Sequence, residues 1–184
     1  MSINRRDFLR NGSFAALGLS VPFLTKANFL DAPAGFKIPN FGIQLWTVKE
    51  NMMADAKGTL AKLASFGYKQ IESYEGPQGM FWGMGHTGFK SYLDSLGMKI
   101  VSSHCDNLTD FDKKSEQAAA IGMKYLICPH KGTQKSLDNY KAFADEFNAS
   151  GKIAKKHGIK FAYHNHDYSF IPMDGQMPQD VMMQ

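Results

Sequence analysis

The chain has 184 residues, 43% hydrophobic and 21% charged, which is enough for one domain with its own core and ordinary for a water-soluble protein. The formal net charge of +4 does not mark a nucleic-acid or membrane binder, because three of its four charges arise before residue 27, from Arg5, Arg6, Arg10 and Lys26 against Asp7. The remainder is close to neutral and holds no Arg, so it offers no bidentate clamp for a phosphate. Two cysteines, Cys105 and Cys128, are too few for a disulfide scaffold.

The N-terminus reads as an export leader. Asn4-Arg5-Arg6-Asp7-Phe8-Leu9-Arg10 precedes a mildly apolar stretch from Phe14 to Leu24, and small and turn residues follow up to Gly35. A charged segment before a short apolar one is the pattern of a signal peptide, and the stretch is shorter than the ~20 residues of a membrane span. The paired arginines with Phe-Leu behind them resemble a twin-arginine signal. Residues 1–34 are therefore expected to be signal and linker. The protein is expected in the periplasm or otherwise exported, with the twin-arginine machinery as a partner. No membrane span is expected.

From residue 41 the sequence alternates between strand and helix signals. Phe41–Trp46 is expected as strand 1, Ala56–Phe66 as a helix, and Tyr68–Tyr74 as strand 2. A Gly- and aromatic-rich loop, Gly76–Gly85, leads to a helix at Phe89–Leu96 and strand 3 at Met98–His104. A helix at Phe111–Ile121, strand 4 at Met123–Pro129, a longer helix at Asp138–His157 and strand 5 at Ile159–His166 complete the series, with a further helix starting near Met177. Gly67, Gly97, Gly122 and Gly158 each stand between a helix and the strand after it, where a left-handed residue reverses the chain. Alternating β and α elements give a parallel sheet. No G-x-G phosphate turn follows strand 1, where the sequence runs Trp46-Thr47-Val48, so a barrel is favoured over an open doubly wound sheet.

In a barrel, chemistry gathers at the C-terminal ends of the strands, on inward-facing side chains. Period-two parity offers Gln44 and Trp46 from strand 1, Glu72 and Tyr74 from strand 2, Ser102 and His104 from strand 3, Cys128 and His130 from strand 4, and His164 and His166 from strand 5. The same parity turns Cys105 outward and Cys128 inward, which argues against a disulfide. The run His164-Asn165-His166-Asp167 ends a core strand in four polar residues. Burying them without purpose would cost several kcal/mol. The candidate catalytic residues are His166, His164 and His104, with Gln44, Trp46, Glu72, His130 and Asn165 as substrate-binding groups.

Gly42-Ile43-Gln44-Leu45-Trp46-Thr47-Val48, Gly58-Thr59-Leu60, Gly67-Tyr68-Lys69-Gln70-Ile71-Glu72, Ser102-Ser103-His104 and Tyr163-His164-Asn165-His166-Asp167-Tyr168-Ser169-Phe170 together resemble the sugar phosphate isomerase/epimerase family, the xylose isomerase-like barrels. The resemblance covers residues 41 to 178. It implies the first five βα units of a (β/α)8 TIM barrel over residues 40–184, cut off before closure. Three further units would need roughly 90 more residues, since such barrels run to ~250. Strands 1 and 5 would then be open edges, and the isolated chain is expected to be poorly stable.

The resemblance further implies proton abstraction next to a carbonyl, assisted by a divalent metal (Mn, Mg, Co or Zn) in the full-length protein. His164 and His166 are candidate metal ligands, with the remaining ligands expected beyond Gln184. Ser169 stands where many relatives carry Glu, which removes one strand 5 carboxylate. The absence of Arg after Arg10 and the export signal favour an unphosphorylated sugar as substrate. The alternatives are a lyase or hydratase acting on keto sugars or glycosides, and an inactive fragment or sugar-binding remnant. The DNA repair endonucleases that share the barrel are disfavoured by the near-neutral body, so no nucleic-acid partner is expected.

Overall fold

A computed structural model describes residues 40–184. The leader lies outside the described residues. Five parallel strands form one sheet in sequence order: β1 (Gly42–Gln44), β2 (Gln70–Tyr74), β3 (Lys99–His104), β4 (Tyr125–Cys128) and β5 (Lys160–Tyr163). Between them run α1 (Lys49–Ala54), α2 (Ala56–Ser65), α3 (Gly85–Ser95), α4 (Phe111–Ala120) and α5 (Leu137–Lys156), and α6 (Pro178–Met182) follows β5. Each strand pairs with the next one in the chain, the order in which a (β/α)8 barrel is built.

The helices follow from local chemistry. Asp55 caps α2 by accepting the Gly58 N–H at 2.9 Å, and Ser136 caps α5 through the Asn139 N–H at 3.4 Å. At the other end of α4, Gly122 takes φ +82°, its N–H reaches Ala119 O at 3.0 Å, and Met123 N–H reaches Ala118 O at 3.0 Å. That paired closure needs a residue tolerant of positive φ. It recurs before β3 and β5 and is why each strand begins where it does.

The core lies between the outer face of the sheet and the helices. Ile71, Leu126 and Phe161 point into it and meet Leu60, Leu63, Phe89, Leu93, Ala118 and Ala154 from the helices. A second small cluster joins α5 and α6 through Tyr140, Val181 and Met182. The Gly- and aromatic-rich segment after β2 is part of the first core. Met80, Phe81 and Trp82 are buried, with Met80 O accepting from Ser73 Oγ and Trp82 Nε1 donating to Ser73 Oγ.

Three expectations are corrected. β1 stops at Gln44 and Trp46 falls in a 3-10 turn (Leu45–Val48), because the Gln44 side chain caps that turn by accepting the Trp46 N–H. β5 stops at Tyr163, so His164 and His166 lie on the extended segment after it and not within it. Cys128 faces outward, not inward. It pairs in register with Tyr163, whose ring stacks on Phe147 of α5 at 4.8 Å, and paired residues of parallel strands share a face. Both cysteines are thus buried under the helices, and both are free thiols.

Candidate functional site

The C-terminal ends of the strands open onto a cavity of about 720 Å³. Gln44, Trp46, Tyr74, His104, His130, His164 and His166 line it. Register brings these groups to one level. Glu72 pairs with Ser102 and Tyr74 with His104, so β2 and β3 present their last residues side by side, and His104 pairs in turn with Ile127 of β4. A bulge between Ile71 and Glu72 shifts β2 so that Glu72 and Ser102 meet.

His104 is the hub. Its Nδ1 lies 3.2 Å from Gln44 Nε2, and its Nε2 lies 3.2 Å from Glu72 Oε1 and 3.4 Å from His164 Nδ1. The other Glu72 oxygen accepts the Ser102 hydroxyl at 2.6 Å. Burial pushes the Glu72 carboxyl up, but the hydrogen bonds from His104 and Ser102 outweigh it and hold the group below the usual carboxylate range. Burial, together with the positive character of His104 and His166, holds His164 below the usual histidine value against the pull of Glu72.

His166 is held differently. Its Nε2 lies 3.0 Å from the Pro129 carbonyl, which only accepts, so Nε2 carries the proton. Its ring is stacked between His164 (centroids 4.9 Å, 12° between planes) and Tyr168 (5.5 Å, 12°), and His130 packs edge-on at 5.0 Å. Tyr168 Oη accepts from the Lys131 and Gly132 N–H groups, each at 3.1 Å, and so ties the loop after β4 to the segment after β5. That tie holds the Pro129 carbonyl against His166.

The structure thus brings Gln44, Trp46, His104, His130, His164 and His166 to one cavity. Glu72 stands behind His104 and is engaged by it and by Ser102. Asn165 is exposed and does not line the cavity. Trp46 is 56% exposed and meets the Tyr74 ring edge-on at 5.0 Å. Sequence reasoning quoted Tyr168 within the strand 5 segment but gave it no role, because its hydroxyl acts on backbone 36 and 37 residues away in the chain. It also left Tyr74 unassigned, although that residue lines the cavity with a buried hydroxyl that has no hydrogen-bond partner.

No protein-family model matches the chain, and no curated protein sequence does. Solved structures do. A sugar phosphate isomerase/epimerase from Parabacteroides distasonis superposes with a TM-score of 0.68 at 24% identity, over 79% of this chain and 64% of its own. A second such protein from the same organism gives 0.64 at 21%, over 82% and 65%. The fold is that of part of a TIM barrel. A xylose isomerase-like TIM barrel protein from Mycobacterium smegmatis, solved in complex with magnesium, superposes at 0.52 with 10% identity, over 70% of this chain and 51% of its own. The chain spans less than two thirds of the length of the two Parabacteroides barrels.

The magnesium of that relative raises the question of whether this part of the barrel can hold a metal. Among the described residues, no group of three or more His, Cys, Asp or Glu side chains is arranged to hold one. Both nitrogens of His104 face protein partners, His166 Nε2 is committed to a carbonyl, and Glu72 is committed to His104 and Ser102. Hard divalent ions prefer several oxygen donors, and these residues do not supply them. The imidazoles of His164 and His166, expected as ligands, supply nitrogen donors only, and among the described residues they do not by themselves make a metal site.

Proposed function

We propose that the chain is part of a sugar isomerase or epimerase that moves a proton next to the carbonyl of an unphosphorylated sugar. The observation that carries this reading is the His166–Pro129 bond. It fixes the proton on Nε2 and leaves the Nδ1 lone pair without a partner among the described residues, in a ring that lines the cavity. An imidazole nitrogen with a free lone pair can accept a proton. In the proposed step His166 Nδ1 takes the proton from the carbon beside the carbonyl. The electron pair of that C–H bond moves toward the carbonyl oxygen, giving an enediol-type intermediate. Return of the proton to the neighbouring carbon, with the hydroxyl proton passing from one enediol oxygen to the other, isomerises the sugar; delivery of a proton from water to the opposite face of the same carbon, while His166 keeps the first, epimerises it.

The cavity supports a sugar of modest size. Trp46 and Tyr74 offer aromatic surface for C–H faces, and the histidines offer polar contacts for hydroxyls. The absence of Arg from residue 11 onward supports an unphosphorylated substrate. The metal assistance expected from the resemblance forms no part of the proposal. The Arg5-Arg6 leader supports export to the periplasm. The test is wash-in of deuterium from heavy water at the carbon next to the carbonyl, followed by NMR across unphosphorylated aldoses and ketoses and their phosphorylated counterparts. Exchange with an unphosphorylated sugar is expected. Exchange confined to sugar phosphates, or exchange with none of the panel by the full gene product, contradicts the proposal.

A further inference from the structure

The cluster contains a chain of hydrogen bonds whose directions are all forced from one end. It begins at a backbone N–H, which can only donate. Trp46 N–H points at Gln44 Oε1. The carboxamide is thereby fixed with its oxygen toward Trp46 and its NH2 toward His104, because the flipped amide would set two donors against each other. Gln44 Nε2 lies 3.2 Å from His104 Nδ1. An amide nitrogen accepts nothing, so Nδ1 is the bare nitrogen of His104 and its proton sits on Nε2.

The next link follows in the same way. His104 Nε2–H faces two groups, Glu72 Oε1 at 3.2 Å and His164 Nδ1 at 3.4 Å. A proton on His164 Nδ1 would confront the His104 N–H, so Nδ1 is bare there too. The single proton of neutral His164 is left on Nε2, which has no partner among the described residues. His164 lines the cavity.

We infer that Gln44 is a positioning residue that sets the tautomers of His104 and, through it, of His164, so that His164 presents an N–H donor to the cavity rather than a lone pair. The two neighbouring histidines then have opposite polarity. His164 offers a hydrogen-bond donor and His166 an acceptor, each fixed by a different backbone group, Trp46 N–H and Pro129 C=O. Their rings are stacked, with centroids 4.9 Å apart and planes 12° from parallel. Such a pair suits a ligand with a carbonyl or hydroxyl oxygen beside an acidic C–H or O–H. A neutral imidazole N–H aimed at an oxygen that gains negative charge stabilises it without carrying a full charge of its own. This deepens the reading of the site as one for proton transfer beside a carbonyl, and it assigns Gln44 an indirect role instead of a contact with substrate.

Long-range proton–nitrogen correlation spectra of the full chain with 15N-labelled histidine, recorded above the histidine titration range, read the tautomers directly. His104 and His164 are both expected as the Nε2–H form. In Gln44→Glu the group facing His104 becomes an acceptor, and His104 is expected to move its proton to Nδ1 while His164 loses its single preference. In Gln44→Met, which has similar size and no hydrogen bond, both rings are expected to show mixed tautomers. Either residue found as the Nδ1–H form in the unaltered chain overturns the inference, and so do tautomers unchanged in both variants. If the variants do not fold, the spectrum of the unaltered chain decides alone. Failure of the sugar chemistry would leave these spectra untouched, whereas failure of the tautomer relay would leave deuterium wash-in by His166 intact.

Discussion

Glu72 and His104 face each other from neighbouring strands, with carboxylate oxygen and imidazole nitrogen 3.2 Å apart, at the mouth of the half-barrel. The pair links the chemistry of the site to the pH dependence of folding. The folded-state pKa of Glu72 lies below its ordinary 4.5 and that of His164 below its ordinary 6.5. A depressed pKa means that the unfolded chain binds the proton first as the pH falls. Stability from His164 is therefore complete above pH 6.5 and lost as the pH drops through its folded value, and Glu72 follows the same course below 4.5. Urea midpoints measured from pH 8 downward should fall on acidification, and His164→Gln should flatten the first part of that fall. Glu72 also opposes the depression of His164, so Glu72→Gln should lower the His164 pKa further in an NMR titration. A rise would contradict the assignment.

The Tyr168 hydroxyl has a role separate from that of its ring, which stacks on His166. Tyr168→Phe keeps the ring but leaves the Lys131 and Gly132 N–H groups without their acceptor. Unsatisfied donors of this kind cost about 1–3 kcal/mol each when buried, less where water reaches them. Amide hydrogen exchange at Lys131 and Gly132 should accelerate, while the amides of β2 and β3 stay protected. Because Pro129 sits on the same loop, loss of activity should accompany the loosening.

The framework of this fold was open to sequence reading because it rests on local signals. Helix-closing glycines, apolar periodicity and the absence of a phosphate turn locate five strands and point to the barrel. Parity failed where a side chain or a proline overrides the period of two. Gln44 bends its own side chain back to cap the next turn and ends β1 early. Pro129 ends β4, so His130 reaches the cavity from a loop while Cys128 remains on the helix side. The members of the hub at His104 were each legible as site candidates, but the hydrogen bonds that join them were not. The hub joins residues 44, 72, 104 and 164, and only the strand register, including the bulge at Ile71 and Glu72, sets them together.

The cysteines should be inert in the folded protein. Cys105 is 1% exposed and burial pushes its thiol up to about 12, and Cys128 is buried and raised for the same reason. Thiolate is the reactive form, so both lack access and charge. Iodoacetamide should label neither thiol in the folded chain and both in denaturant. Rapid labelling of Cys105 under native conditions would show that β3 and the helices do not pack as described.

Export should depend on the paired arginines ahead of the barrel. Arg5→Lys combined with Arg6→Lys keeps the charge and removes the pair that a twin-arginine signal requires. The doubly substituted protein is expected to stay in the cytoplasm on cell fractionation. Unchanged delivery to the periplasm would rule out this route.

The base assigned to His166 is the centre of the account, and His166→Ala tests it most directly. The imidazole lines the cavity with Nε2 tied to Pro129 and Nδ1 free among the described residues, so its removal takes away the proton acceptor and little of the core. A general base contributes roughly 10²–10⁴-fold. The measurement is the rate of deuterium wash-in next to the sugar carbonyl, compared for the full gene product and its His166→Ala variant at equal folded concentration. A fall of about 10²-fold or more with an unchanged unfolding midpoint is the predicted result. Near-normal exchange in a destabilised variant would make His166 a packing residue and contradict the account.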